Sequence, residues 1–212
     1  VNSTIACALV AAKLGARVAH VEAGLRSFDR GMPEEINRVL TDAISDLLFV
    51  SESSGVDNLR REGAAAERIH FVGNVMIDTL LKHRAMAATL DLSRQLGLAP
   101  QGYATLTMHR PGNVDDKNVL TGILEALAEI AREIPIVFPI HPRTRKMAGQ
   151  FGLDGFFSTG PKVQGLWITA PLGYLEFLHL NMNARFVLTD SGGLQEETTV
   201  LGIPCITMRP NT

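Results

Sequence analysis

The chain has 212 residues, 46% hydrophobic and 20% charged, with a formal net charge of −2. That is enough apolar material for one α/β domain or two small ones, and so even a charge balance argues against a general nucleic-acid or membrane-surface binder. No apolar run approaches the length of a membrane span, and Val1-Asn-Ser-Thr-Ile-Ala-Cys7 lacks the basic opening and cleavage site of a signal peptide. Cys7 and Cys205 stand far apart inside apolar runs, as expected of buried thiols in a reducing compartment, so a cytoplasmic location is expected.

Helical and strand patterns alternate from end to end, the signature of an α/β protein with mainly parallel sheets. Residues 2–14 read as a helix ending at Gly15, and 17–21 as a strand that runs into the charged, glycine-bearing loop Glu22 to Met32. Pro33-Glu-Glu-Ile-Asn-Arg opens a second helix, with proline at its first position, acids at its positive end, and Ile36, Leu40, Ala43 and Leu47 as its expected buried stripe. A strand at 47–50, a polar helix and a strand at 69–72 complete the first series. Residues 78–100 carry a long helical stretch over 78–96, expected to connect two domains covering 1–77 and 101–212.

The second series opens with a strand at 103–108 and the clearest helix of the chain, 116–132, whose Val119/Leu120, Ile123/Leu124, Leu127 and Ile130 recur at helical spacing. A strand at 136–140, a basic helix from Pro142, an irregular region over 151–165, a strand at 167–169 and a helix over 172–182 follow. The stretch Phe186-Val-Leu-Thr-Asp-Ser-Gly-Gly-Leu-Gln-Glu-Glu then carries a buried strand into a helix N-terminus, before a last strand-like run from Ile203. Neither end has the look of a domain terminus, so a longer protein is expected.

Chemistry concentrates at the carboxyl ends of strands, where α/β proteins place ligands. Ser191, Gly192 and Gly193 put free amides and a helix dipole at a turn, which suits a phosphate, and Glu197 would suit sugar hydroxyls; the same residues also make an ordinary capped turn. Glu22 is either a structural acceptor for loop amides or a catalytic acid/base. Glu34 and Arg38 are spaced for a helix-surface pair or for a shared ligand. His109 with Arg110 can present an imidazole and a guanidinium to a diphosphate, and His141 either does the same or sits in a basic surface loop. His70, His83 and His179 carry no local signal. No metal-ligand spacing, phosphate loop or dinucleotide fingerprint is present.

Taken together, His20-Val-Glu-Ala-Gly-Leu-Arg-Ser, Met32-Pro-Glu-Glu-Ile-Asn-Arg-Val-Leu-Thr-Asp, Gly73-Asn74, Thr107-Met-His-Arg, Thr189-Asp-Ser-Gly-Gly-Leu-Gln-Glu-Glu, Gly202-Ile-Pro and Thr207-Met-Arg-Pro-Asn-Thr closely resemble the non-hydrolysing UDP-N-acetylglucosamine 2-epimerases. The resemblance covers essentially the whole chain, in order. It implies two Rossmann-like domains with parallel sheets facing a cleft, GT-B-like, the first incomplete at its start and the second at its end. It implies anti elimination of UDP to 2-acetamidoglucal and re-addition with inverted C2, without a redox cofactor or metal. By motif, Glu22 and Glu34 become acid/base candidates, and His109 assists the leaving diphosphate. Arg38, Arg110 and His141 face the charged ligand, Ser191, Gly192 and Gly193 bind the diphosphate, Glu197 the ribose and Phe177 the uracil. A homodimer with UDP-sugar and UDP as ligands is implied.

The family pattern also has an aspartate directly before the position of Val1, a glutamate where Gly112 stands and often a histidine where Ala43 stands. Hydrolysing 2-epimerases and GT-B glycosyltransferases share parts of the pattern, and a non-catalytic nucleotide-binding fragment would retain the phosphate turn.

Overall fold

The computed structural model describes residues 2–160 and 165–208. Residues 161–164 of the irregular region and the Arg209-Pro-Asn-Thr212 end of the last motif lie outside the described residues. The chain divides into two compact units, residues 1–78 and 79–212.

Unit 1 contains α1 (Asn2–Lys13), β1 (Ala19–Val21), α2 (Pro33–Ile44), β2 (Leu47–Val50), α3 (Ser53–Arg61), β3 (Ile69–Phe71) and the start of α4 (Val75–Ala88). Its sheet is parallel, in the order β1-β2-β3. Ala23, Leu48, Val50 and Leu59 form its buried apolar cluster. Gly24 and Gly55 let the loop after β1 pass against α3: Gly24 has φ +80°, and a Cβ there would meet the Gly55 carbonyl oxygen at 2.4 Å.

α2 departs from its sequence pattern. Ile36 and Leu40 are 47% and 49% exposed, Ala43 is exposed and Leu47 half-buried, whereas Glu35, Thr41 and Asp42 are buried. The expected apolar stripe therefore faces outward, and the polar face turns inward because the loop after β1 needs its carboxylates (below). Cys7 is exposed and Cys205 half-buried, not buried as expected; both are free thiols.

Unit 2 contains α5 (Leu92–Gln95), β4 (Ala104–Thr107), α6 (Pro111–Val114), α7 (Lys117–Glu133), β5 (Ile136–Pro139), α8 (Pro142–Phe151), β6 (Phe157–Ser158), β7 (Leu166–Thr169), α9 (Tyr174–Asn183), β8 (Phe186–Thr189), α10 (Gly192–Leu201) and β9 (Cys205–Thr207). The expected single helix over 78–96 is thus two helices, α4 and α5. β6 forms inside the stretch expected to be irregular. The side chain of Asp116 caps α7 by accepting from the amides of Asn118 and Val119 at 2.8 and 3.0 Å, and Leu120, Leu124 and Leu127 are its buried residues. His179 is buried, 4% exposed, and its ring is within hydrogen-bond distance of Ser93 Oγ (3.1 Å) and the Ala87 carbonyl (3.0 Å).

All pairings in the second sheet are parallel, in the order β6-β7-β5-β4-β8-β9. From β4 the chain builds outward through β5 and β7, then returns to the other side of β4 with β8. The order reverses between β4 and β8, and a crevice at the carboxyl ends of such a strand pair is where open α/β sheets bind ligands.

Candidate active site

The registers place Thr107 of β4 opposite Thr189 of β8, with the two hydroxyls 2.7 Å apart. His109 and Arg110 leave the first strand end and Asp190 and Ser191 the second, so residues some eighty positions apart in sequence emerge side by side. Asp190 holds them together. Fully buried, it accepts through Oδ2 from the amides of His109 (2.9 Å) and Arg110 (2.8 Å) and from the Asn113 side chain (3.1 Å). Arg110 Nε donates in turn to the Asp190 carbonyl at 2.8 Å, and Nδ1 of His109 lies 3.1 Å from Asp190 Oδ1.

His141 follows β5 and its ring centroid is 5.7 Å from that of His109. Its Nδ1 accepts from the Arg143 amide at 3.1 Å, which caps α8. His141 therefore belongs to the same cluster as His109 and is also a helix cap.

Ser191 occupies the N-cap of α10, but its side chain makes no cap hydrogen bond; its amide donates instead to Thr189 Oγ1 at 2.9 Å. Among the described residues the hydroxyl has no hydrogen-bond partner, and the first amides of a helix have no intrahelical carbonyl to reach. With the positive end of the dipole, this turn is built to receive an anion.

Glu197, one turn further along α10, accepts from the Tyr174 hydroxyl at the start of α9 at 3.3 Å. Burial pushes the Glu197 carboxyl above the ordinary glutamate range, opposed by the Tyr174 hydrogen bond and assisted by Glu196. Burial and the facing Glu197 push the Tyr174 phenol up to about 12. Phe177 is half-buried on the first turn of the same α9.

In unit 1, Glu22 directly follows β1 with φ +66°, a left-handed conformation that costs a non-glycine residue roughly 1–2 kcal/mol. Glu22 and Glu34 are half-buried, and among the described residues neither carboxylate has a hydrogen bond or ion pair. Glu22 is thus not the structural acceptor of its loop. Glu35 is: 3% exposed, it accepts from the Ser27 amide and hydroxyl (3.0 and 3.1 Å) and the Phe28 amide (3.1 Å). Arg38 pairs with Glu35 at 3.2 Å rather than with Glu34, correcting the expected helix-surface pair.

Asp42, also buried, accepts from the Gly24 amide (3.1 Å), faces His20 Nδ1 (2.6 Å) and pairs with Arg26 (2.7 Å), which also bridges to Glu62. For Asp42 burial pushes the pKa up, but the His20 and Arg26 hydrogen bonds outweigh it and hold the carboxyl below the usual aspartate range. For Glu35 the Ser27 and Phe28 amides likewise outweigh burial. A cavity of about 680 Å³ in unit 1, bounded among others by Phe28, Glu35, Ile36, Leu40 and Asp42, contains neither Glu22 nor Glu34.

Sequence reasoning singled out neither Asp190, Asn113 nor Asp42, and read Glu35 only as a routine acid in the first turn of its helix. Asp190 directly follows the largely buried strand β8, a signal that was present; the partners of Asp42 lie up to 22 positions away, out of reach of local pattern, and those of Glu35 up to 8.

The model of the family described as UDP-N-acetylglucosamine 2-epimerase matches residues 1–212. The chain belongs to this family. A UDP-N-acetylglucosamine 2-epimerase of Methanocaldococcus jannaschii is 47% identical over 216 residues, which take in all of this chain and 58% of that protein. A UDP-2,3-diacetamido-2,3-dideoxy-D-glucuronate 2-epimerase of Pseudomonas aeruginosa is 46% identical over 215 residues, covering all of this chain and 57% of its own length. The crystal structure of the Methanocaldococcus jannaschii enzyme in complex with UDP-GlcNAc and UDP superposes with a TM-score of 0.88 at 47% identity, over all of this chain and 59% of that one. That of the Neisseria meningitidis enzyme bound to UDP-GlcNAc gives 0.83 at 29% identity, over all of this chain and 58% of that one. The chain thus spans somewhat under three fifths of the epimerases it matches. Its fold class is α/β with parallel sheets, as in these GT-B-like epimerases, and among the described residues no helix is long and apolar enough to cross a membrane.

Proposed function

We propose that this chain is part of a cytoplasmic, homodimeric epimerase that interconverts UDP-N-acetylglucosamine and UDP-N-acetylmannosamine. A base removes the C2 proton, the C–H electron pair becomes the C1=C2 bond, and the C1–O bond breaks with its electrons leaving on UDP. Re-addition of UDP to the 2-acetamidoglucal, with a proton delivered to the opposite face of C2, completes the inversion. The observation that carries this reading is the strand pair β4/β8, where His109 and Arg110 are fixed beside the open N-terminus of α10.

In this reading the amides of Gly192 and Gly193 and the Ser191 hydroxyl take the diphosphate, His109 and Arg110 neutralise it as it departs, and His141 supports His109. Glu197 accepts from ribose hydroxyls, and Phe177 packs on the uracil. Glu22 and Glu34 hold and move the C2 proton; their unengaged carboxylates and the strained backbone of Glu22 support that role. Arg38, anchored by Glu35, offers positive charge to the ligand. No redox cofactor takes part.

The protein carrying this sequence, incubated with UDP-N-acetylglucosamine in deuterated water, is expected to yield both epimers with deuterium at C2. Release of free N-acetylmannosamine would point to hydrolysis instead, and absence of C2 exchange would point to a glycosyltransferase or a binding fragment. A second substrate reading has support of its own, because the Pseudomonas aeruginosa relative at 46% identity is named for a diacetamido-glucuronate. Running both UDP-sugars side by side separates the two, and light scattering tests the dimer.

A further inference from the structure

The Asp190 carboxylate is fully buried, yet its two oxygens are unequal. Oδ2 accepts three hydrogen bonds, from the His109 and Arg110 amides and from Asn113, which also reaches the Met208 carbonyl at 2.9 Å. Oδ1 makes no hydrogen bond of good geometry among the described residues, and its close neighbour is Nδ1 of His109 at 3.1 Å, off the ideal N–H direction. A buried anionic oxygen left without a donor is costly. If Nδ1 carried a lone pair, two acceptors would face each other at that distance; if it carries the proton, a slight ring rotation completes a charge-assisted bond.

We propose that Asp190 is the positioning residue for His109: it clamps the backbone through Oδ2 and, through Oδ1, fixes the ring as the Nδ1–H tautomer. The inference rests on His109 serving the diphosphate, as above. Nε2 makes no hydrogen bond among the described residues, so it is the nitrogen left for a ligand. A proton gained there produces an imidazolium with one N–H held by Asp190 and the other directed at a phosphate oxygen. His141, whose ring is adjacent, cannot substitute, because its Nδ1 is committed as an acceptor to the Arg143 amide. The division of labour matches the general pattern in which a buried carboxylate sets which imidazole nitrogen meets the substrate.

The test is imidazole ¹⁵N NMR on the protein carrying this sequence, with the His109 signals identified by their loss in His109→Gln. The neutral ring is expected to be Nδ1–H. In Asp190→Asn the amide oxygen can take the three Oδ2 bonds, which turns the NH₂ toward Nδ1, so the ring should switch to Nε2–H. Asn113→Ala removes one Oδ2 donor without touching Oδ1 and should leave the tautomer unchanged. A wild-type ring found as Nε2–H overturns the proposal even if Asp190→Asn fails to fold. A folded Asp190→Asn with an unchanged tautomer overturns it too. Adding UDP separates this from the wider reading: a tautomer switch with no UDP response at His109 upholds the positioning role and counts against the diphosphate assignment.

Discussion

In unit 1 the loop that follows a strand is held by carboxylates contributed from a helix, whereas in unit 2 it is held by the carboxylate at a strand's own end. Asp42 and Glu35 of α2 reach back to the loop after β1, and to do so the helix turns its polar face inward and leaves Ile36 and Leu40 exposed. Asp190 needs no such inversion, since the pairing of β4 with β8 already brings it beside His109. The difference teaches where each unit is vulnerable. Unit 1 depends on a buried ion network that also engages Arg26, whose side chain is 1% exposed; unit 2 depends on backbone amides converging on one oxygen.

The comparison breaks most sharply at Asp42. Asp42→Ala leaves the Arg26 side chain buried without one of its two anions, and removing one partner of a buried pair costs about 3–5 kcal/mol. Hydrogen exchange at Ala23 and Leu48 should accelerate greatly, while Trp167, the one tryptophan and a unit 2 residue, should report an unchanged unfolding midpoint by fluorescence.

Acid should separate the units next. Asp42 and Glu35 have folded pKa values below their ordinary ones, so their stabilising contribution is present above the unfolded values and is lost as pH falls through the folded ones. Glu197 is raised, which gives the opposite sign: its contribution is complete at low pH and is lost as pH rises through its folded value. Amide NMR on lowering the pH below about 4.5, the ordinary glutamate value, should show unit 1 loosening before unit 2, and Glu35→Gln should flatten that dependence.

A smaller effect distinguishes function from structure at Glu22. Because Glu22 is left-handed and unpaired, Glu22→Gly should leave thermal stability unchanged or raise it by up to about 1 kcal/mol while abolishing C2 exchange. A clear loss of stability would restore the structural role. Smallest of all is the exposed Arg143–Asp115 bridge, where Arg143→Ala should leave the denaturant midpoint essentially unchanged, because solvent screens the pair.

Much of the frame was legible in advance. The alternation of helices and strands gave the α/β class, and of the stripe expected along α7 Leu120, Leu124 and Leu127 are buried, whereas Val119 is 43% exposed. Local pattern misled where tertiary demands override it: α2 buries acids because a loop needs acceptors, and α4 and α5 part around a turn that helical propensity did not reveal. Site residues at strand ends were visible from their position alone, but what holds them was not. Asp190 acts on His109 and Arg110 across some eighty positions, a relation that only the β4/β8 pairing creates.

The most direct measurement is titration of UDP into the isotopically labelled protein carrying this sequence, followed by amide and imidazole NMR. Saturable shifts concentrated at Ser191 to Gly193, His109 and Arg110 are predicted. Shifts absent from those residues, or centred instead on the unit 1 cavity around Phe28, Ile36 and Leu40, would contradict a diphosphate site at the β4/β8 switch point.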